Sequence, residues 1–227
     1  MNKQKGLFIA VEGIDGMGKS TQLAQLEQFL AARGFDVKRT REPTDSVYGR
    51  EIRRIAQEGR DGISPDEEVN LFLKDRELDV RENILPALEA GEVVLVDRYY
   101  YSNMAYQGAL GIDPERIRAL NAHFPKPDLV IMLDASPATG IGRIRGGRGE
   151  TNNQGYEQED FLAKVRAIFA AMPDDNIVRI DASRDLEAVT GEVRAHVLAR
   201  LSPPPGGAGL GVGGSHRSES PARERES

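Results

Sequence analysis

Gly13-Ile14-Asp15-Gly16-Met17-Gly18-Lys19-Ser20 is the stretch on which the fold turns. It fits G-x-x-x-x-G-K-[ST], and its surroundings are those the pattern requires. The apolar run 7–11 in front of it predicts a buried strand. Behind it, Leu23, Leu26 and Leu30 give helical spacing over 20–33, with Gly34 as a C-terminal stop. In a strand–loop–helix unit of this kind, backbone N–H groups and the helix N-terminus converge on phosphate oxygens. Lys19 adds a point charge near the β- and γ-phosphates of a nucleotide, and the Ser20 hydroxyl is positioned to ligate Mg²⁺.

Four more short apolar runs, 35–39, 93–96, 129–133 and 177–180, are separated by helical patterns or long linkers. That alternation predicts an α/β fold: a five-stranded, mostly parallel sheet with helices on both faces. Ser64-Pro65-Asp66-Glu67 is a helix start, with a capping Ser, Pro in the first turn and Glu three residues on. The helix it opens is expected to pass Phe72 and Arg76 and to end or kink at Pro86. Further helices are expected from about residue 160 and over 185–201. The segment 140–155, rich in Gly and Arg, reads as a mobile connection. Residues 1–201 are expected to form one domain. In the 202–227 tail, 15 of 26 residues are Pro, Gly or Ser, too polar a composition to offset the entropy of ordering.

Bulk composition removes several classes of function. Cys is absent, so there is no disulfide framework, thiol nucleophile or thiolate metal site. The three histidines, His123, His196 and His216, are scattered without ligand spacing. A formal charge of −6 argues against broad nucleic-acid binding, which normally needs a basic face. No stretch approaches the ~20 apolar residues that span a bilayer, and the N-terminus lacks a signal-peptide core. A soluble cytoplasmic protein without nucleic-acid or membrane partners is expected.

A second cluster follows the third apolar run, where Val93-Val94-Leu95-Val96 leads into Asp97-Arg98-Tyr99. In a parallel sheet, ligands gather at the carboxyl ends of the strands. An aspartate there, beside a phosphate loop, holds the metal through water. The next position carries a glutamate in many ATP hydrolases. Here it is Arg98, whose forked donor suits a second phosphate group. Such a site brings two phosphates together for transfer rather than hydrolysis.

With these pieces in place the chain resembles thymidylate kinase, over roughly residues 5 to 200. The resemblance rests on Glu12 through Thr21, on Arg41-Glu42-Pro43, on Leu71-Phe72-Leu73-Lys74-Asp75-Arg76, and on the run from Asp97 to Gln107. It implies a P-loop NTPase fold with a mobile lid at about 140–155, and an enzyme that makes dTDP from dTMP and ATP for dTTP synthesis. It implies Mg²⁺ as cofactor and a homodimer as the assembly. The ATP phosphates would lie along Gly13, Ile14, Asp15, Gly16, Met17, Gly18, Lys19, Ser20 and Thr21, with Arg143 against adenine. Asp15 would face the sugar 3′-hydroxyl or the metal, the latter held by Ser20 and Asp97. Phe72 would stack on thymine and Arg76 would bond its edge, four residues apart on one helix face. Arg98 would hold the dTMP phosphate, assisted by Arg41, with Pro43 near the thymine methyl. Asn103 and Gln107 would lie along the base, and Tyr106 where a 2′-hydroxyl would have to fit. The family needs a catalytic cation in the phosphate loop or the lid. The loop offers none between Gly13 and Gly18, so Arg145 or Arg148 is expected to supply it, alongside Lys19 and Arg98.

Two departures from the family pattern stand out. Gly140 and Gly142 fall in the helix leading to the lid, each costing ~1 kcal/mol relative to Ala, which leaves the lid's register open. Thr44-Asp45 follow Pro43 in place of a glycine pair. Two other functions also fit the motifs: a kinase for another nucleotide or nucleoside, and a non-catalytic nucleotide-binding regulator.

Overall fold

The computed structural model describes residues 6–148 and 155–201, and within them the side chains other than those of 147–148 and 155–158. The chain runs β1 (Leu7–Glu12), α1 (Lys19–Ala31), β2 (Val37–Arg41), α2 (Val47–Glu58), α3 (Pro65–Asp79), α4 (Leu85–Ala90), β3 (Val93–Asp97), α5 (Tyr100–Ala109), α6 (Pro114–Leu120), β4 (Leu129–Asp134), α7 (Pro137–Arg148), α8 (Gly155–Ala171), β5 (Ile177–Asp181) and α9 (Leu186–Leu198). All five strands are parallel, in the order β2-β3-β1-β4-β5. The expected α/β sheet is therefore present, with β2 beginning two residues later than its apolar run and α8 starting before residue 160.

Successive side chains of a strand point to opposite faces, so a strand buried at every position must be covered on both. Phe8, Ile9, Ala10 and Val11 of β1 are all buried, as are Val93 to Val96 of β3 and Leu129 to Leu133 of β4. The helical periodicity seen in α1 delivers Leu23, Leu26 and Leu30 to the same core, each burial worth about 2 kcal/mol. Val189, Val193 and Val197 of α9 join them, and α1 packs on α9.

The chain moves from β3 on one side of β1 to β4 on the other, which makes β1 the point where strand order reverses. A crevice opens there, beyond the carboxyl ends of β1 and β3. Glu12 and Asp97 sit at those two ends.

Of the two outcomes expected at Pro86, an end or a kink, the helix does not end there. A π-helical turn at Val80–Ile84 carries α3 into α4, and Leu85 N–H donates to the Val80 carbonyl five residues back. The wider turn absorbs the bond that proline cannot make. Gly91, at φ 87, then ends the helix. One expectation needs correcting: the segment 140–155, read as a mobile connection, is helical through Arg148; residues 149–154 lie outside those described, as does the 202–227 tail. Gly140 is required for close packing. A Cβ on Gly140 would come within 2.4 Å of the Asp15 carbonyl oxygen, and one on Gly16 within 2.2 Å of the Gly140 oxygen. The residue that lowers helix propensity is what lets α7 lie directly against the phosphate loop. Gly142 meets nothing within 4 Å.

Candidate active site

The loop after β1 turns into α1 at Gly18, whose left-handed conformation (φ 85) starts the helix. Lys19 is buried, and its Nζ donates to the carbonyls of Gly13 and Ile14, each at 3.0 Å. Burial, and then the nearby Arg98 charge, bring the Lys19 ammonium down to about 8. Ser20 Oγ donates to Asp97 Oδ2 at 2.8 Å. The two residues expected to hold a metal, 77 positions apart in sequence, thus meet at the end of the sheet. A hydroxyl and a carboxylate are hard oxygen donors, and one or two such protein groups suit Mg²⁺ completed by phosphates and water.

Arg98 begins the turn from β3 to α5 in a left-handed conformation, φ 69, and no other non-glycine residue among those described has a positive φ. Backbone strain of this kind costs about 1–3 kcal/mol and persists only where the surroundings impose it. Here Arg98 N–H donates to the Val11 carbonyl at 3.1 Å, which ties the turn to β1. Its guanidinium is held at four points: Nη1 donates to Gly13 O (3.2 Å) and Ser102 Oγ (2.9 Å), and Nη2 to Asp15 Oδ1 (2.6 Å) and Tyr106 Oη (3.3 Å). Tyr106 Oη in turn donates to Asp15 Oδ2 at 3.2 Å. The Arg98 guanidinium holds the Asp15 carboxyl below the ordinary aspartate range. Burial pushes the Tyr106 phenol up to about 12.

Glu12 was not anticipated as a site residue. It is fully buried, and its carboxylate accepts from the N–H groups of Tyr99 (2.7 Å) and Ser102 (3.2 Å) and from Ser102 Oγ (2.5 Å). Tyr99, the residue that precedes α5, provides no side-chain cap of its own. Glu12 therefore caps α5 from β1 and sets where Arg98 and Ser102 stand. Burial raises its carboxyl above the usual range.

Two cavities meet over this arrangement. One, of about 550 Å³, is lined by Asp15, Gly16, Gly18, Lys19, Ser20, Thr21, Asp97, Arg98, Arg143 and Ile144. Arg143 Nη2 donates to the Ala182 carbonyl at 2.8 Å, which pins α7 to the end of β5. The other, of about 260 Å³, brings together Pro43, Phe72, Arg76, Asn103, Tyr106 and Gln107. Asp15 and Arg98 belong to the walls of both. Arg76 is fully buried in a two-pronged pair with Glu42 and also donates to Asn121 Oδ1. Its guanidinium carbon lies 5.0 Å from the centre of the Tyr99 ring.

Of the expected site residues, Gly13, Ile14, Met17, Arg41 and Arg145 are not among these walls, Ile14 and Met17 being buried in the core. Arg41 is exposed and paired with Asp45 at 2.9 Å. Arg145 is exposed near the end of α7, and the side chain of Arg148 lies outside those described. Conversely, Ile52, Arg53, Arg60, Glu68 and Ser102 line the smaller cavity without having been anticipated. Glu68 was legible in principle, since it continues the four-residue spacing of Phe72 and Arg76 on α3. Arg53 and Arg60 come from α2 and the loop after it, which no motif marked.

Two adjoining cavities that share Asp15 and Arg98, one of them built on a phosphate loop, are the arrangement of a phosphotransferase of the P-loop class. A family model described as thymidylate kinase matches residues 11–193, and the chain belongs to that family. It is 48% identical over 197 residues to a probable thymidylate kinase of Archaeoglobus fulgidus, covering 86% of this chain and 97% of that protein. It is 47% identical over 200 residues to a thymidylate kinase of Akkermansia muciniphila (88% and 95% covered). A thymidylate kinase of Xanthomonas campestris pv. campestris is 43% identical over 197 residues (87% and 85%). Membership makes this chain an ATP-dependent kinase that phosphorylates dTMP to dTDP.

Proposed function

We propose that the larger cavity takes the phosphates of ATP, and that the smaller one takes dTMP with its phosphate on Arg98. The observation that carries this reading is the shared wall: Asp15 and Arg98 stand where the two cavities join. Gly13 to Thr21 cradle the donor phosphates, Lys19 turns from its loop carbonyls to the β- and γ-phosphates, and Arg143 lies against adenine. Ser20 and Asp97 would hold Mg²⁺, which when bound would neutralise charge on the donor phosphates. Phe72 stacks on thymine, Arg76 and Asn103 bond its edge, Gln107 lies behind, and Pro43 faces the methyl group. Tyr106 occupies the space a 2′-hydroxyl would need.

The second proton of a phosphate monoester leaves with pKa ≈ 6, so the acceptor oxygen is already anionic near neutrality and no general base is needed. The barrier is electrostatic. Lys19 and Arg98, with Arg145 or Arg148 from the end of α7, offset repulsion between the two phosphates and follow the charge as it spreads. Arg41, paired with Asp45, reaches the acceptor phosphate only by exchanging that partner.

The protein acts in the cytoplasm as a homodimer in this reading, without nucleic-acid or membrane partners. The support is the family resemblance together with the acidic charge. No helix among the described residues is long and apolar enough to cross a membrane. Sedimentation of the purified protein tests the dimer.

The site assignment is tested by ADP formation from ATP and Mg²⁺ with dTMP, dUMP, the ribose form of TMP, dCMP, dGMP or no acceptor. Turnover should be highest with dTMP, weaker with dUMP, near background without an acceptor, and lost in Lys19→Ala. Turnover indifferent to the acceptor would overturn it.

A further inference from the structure

One wall of the smaller cavity carries a hydrogen-bond chain with a fixed direction. Glu68 projects from α3, its side chain 5% exposed, and Arg60 grips its carboxylate with Nε at 2.9 Å and Nη2 at 3.3 Å. Gln107 Nε2 donates to the same carboxylate at 3.3 Å, and Asn103 Nδ2 donates to Gln107 Oε1 at 2.7 Å. The amide oxygen of Asn103 is buried and finds no partner among the described residues. All four side chains line the cavity.

The direction follows from chemistry. A carboxylate has only lone pairs to offer. Gln107 must therefore turn its NH₂ toward Glu68, which leaves its oxygen for Asn103. Asn103 must then present NH₂ to Gln107, which leaves its own oxygen unpaired. A buried acceptor without a partner costs about 1–3 kcal/mol, a cost removed when a ligand supplies an N–H.

We propose that Glu68, clamped by Arg60, is a specificity-positioning residue: it sets the order of both amides so that Asn103 offers the base an acceptor. A pyrimidine carrying hydrogen on its ring N3, such as thymine, is matched. One with a lone pair there, such as cytosine, meets oxygen with nitrogen lone pair. The inference rests on dTMP occupying this cavity. Glu68 acts through Gln107, and Arg60 acts through Glu68.

Glu68→Gln tests it, because a glutamine at 68 either donates or accepts and no longer enforces the order. The ratio of kcat/KM for dTMP over dCMP should fall about tenfold, the net worth of one hydrogen bond, mainly through a higher KM for dTMP, with KM for ATP retained. Gln107→Met, which breaks the chain at its middle link, should lower the ratio comparably, and adding Glu68→Gln to it should cause no further loss. A merely structural role would instead depress kcat/KM for both acceptors equally, leaving the ratio unchanged, and would overturn the proposal. Phe72→Ala separates the two levels of the argument. If it raises KM for dTMP while Glu68→Gln leaves the ratio intact, the relay alone is refuted. If it leaves KM for dTMP unchanged, the cavity is not the dTMP site, and both readings are overturned together.

Discussion

Arg98 donates to the Asp15 carboxylate at 2.6 Å across the seam between the two cavities, from a backbone held at φ 69. The ion pair holds the guanidinium at the wall shared by the two cavities, and the left-handed turn is what lets the residue after β3 reach it. Loss of this cation should be severe. Arg98→Ala is expected to lower kcat/KM for dTMP by ~10³ or more, the scale of an arginine that stabilises phosphoryl transfer. Arg98→Gly should lose as much activity yet unfold at higher denaturant, by about 1 kcal/mol, since only alanine retains the strain. Urea unfolding of the two variants checks this; equal stabilities would mean the turn stores no strain.

Lys19 carries a pH dependence with a definite sign. Its ammonium falls to about 8 in the folded protein from an ordinary 10.5, burial being the first cause. The unfolded chain therefore binds more protons between those values, and folding stability rises with pH through that window. As pH falls through 8 the gain is lost, because the folded protein must then hold a buried charge. Lys19→Met should remove this component, worth about 3 kcal/mol across the window. Denaturation of nucleotide-free protein at pH 7, 8, 9 and 10 would reveal it as a difference in slope between wild type and variant.

Gly140 and Gly142 lie two residues apart on α7 but should behave in opposite ways. A Cβ at Gly140 would approach the Asp15 carbonyl oxygen to 2.4 Å, while one at Gly142 meets nothing within 4 Å. Gly142→Ala should stabilise the protein by up to ~1 kcal/mol through helix propensity and leave turnover near wild type. Gly140→Ala must push α7 off the phosphate loop, with a fall in kcat of at least tenfold as the donor cavity distorts. Parallel melting curves and kcat values for the two variants decide the point, and similar kcat values would contradict it.

Glu42 and Arg76 form a fully buried pair in the wall of the smaller cavity. Removing one partner leaves the other charge uncompensated, so Glu42→Ala should destabilise the fold by about 3–5 kcal/mol. Because Arg76 is also expected at the base edge, KM for dTMP should rise in whatever folded enzyme remains. Equilibrium unfolding together with KM for dTMP measures both; a change under 1 kcal/mol would show that water reaches the pair.

Much of the fold was readable along the chain because its signals are local. The phosphate loop is eight consecutive residues. The runs of β1, β3 and β4 are continuous because strands covered on both faces have no polar side to show. The Ser64 cap with Glu67 marks the start of α3, and both of its reciprocal bonds are present. Phe72 and Arg76 were legible as neighbours on one helix face. Pro86 left an end or a kink open, because a proline carries the same local signature whether a helix stops there or opens into a π turn. Gly140 was ambiguous too: low helix propensity and close backbone approach are written with the same residue.

Residue order by itself determined the parallel α/β sheet, the phosphate loop and the cation after β3, since each depends on neighbours within a few positions or on a simple period. Only tertiary structure decided that Glu12 caps α5 from 87 residues away, that Arg41 turns to Asp45, and that Glu68 accepts from Gln107, which accepts from Asn103. The cause is geometric. A parallel sheet gathers the carboxyl ends of strands that are distant in sequence, and a hydrogen bond depends on where side-chain atoms lie after packing. No periodicity along the chain records that distance.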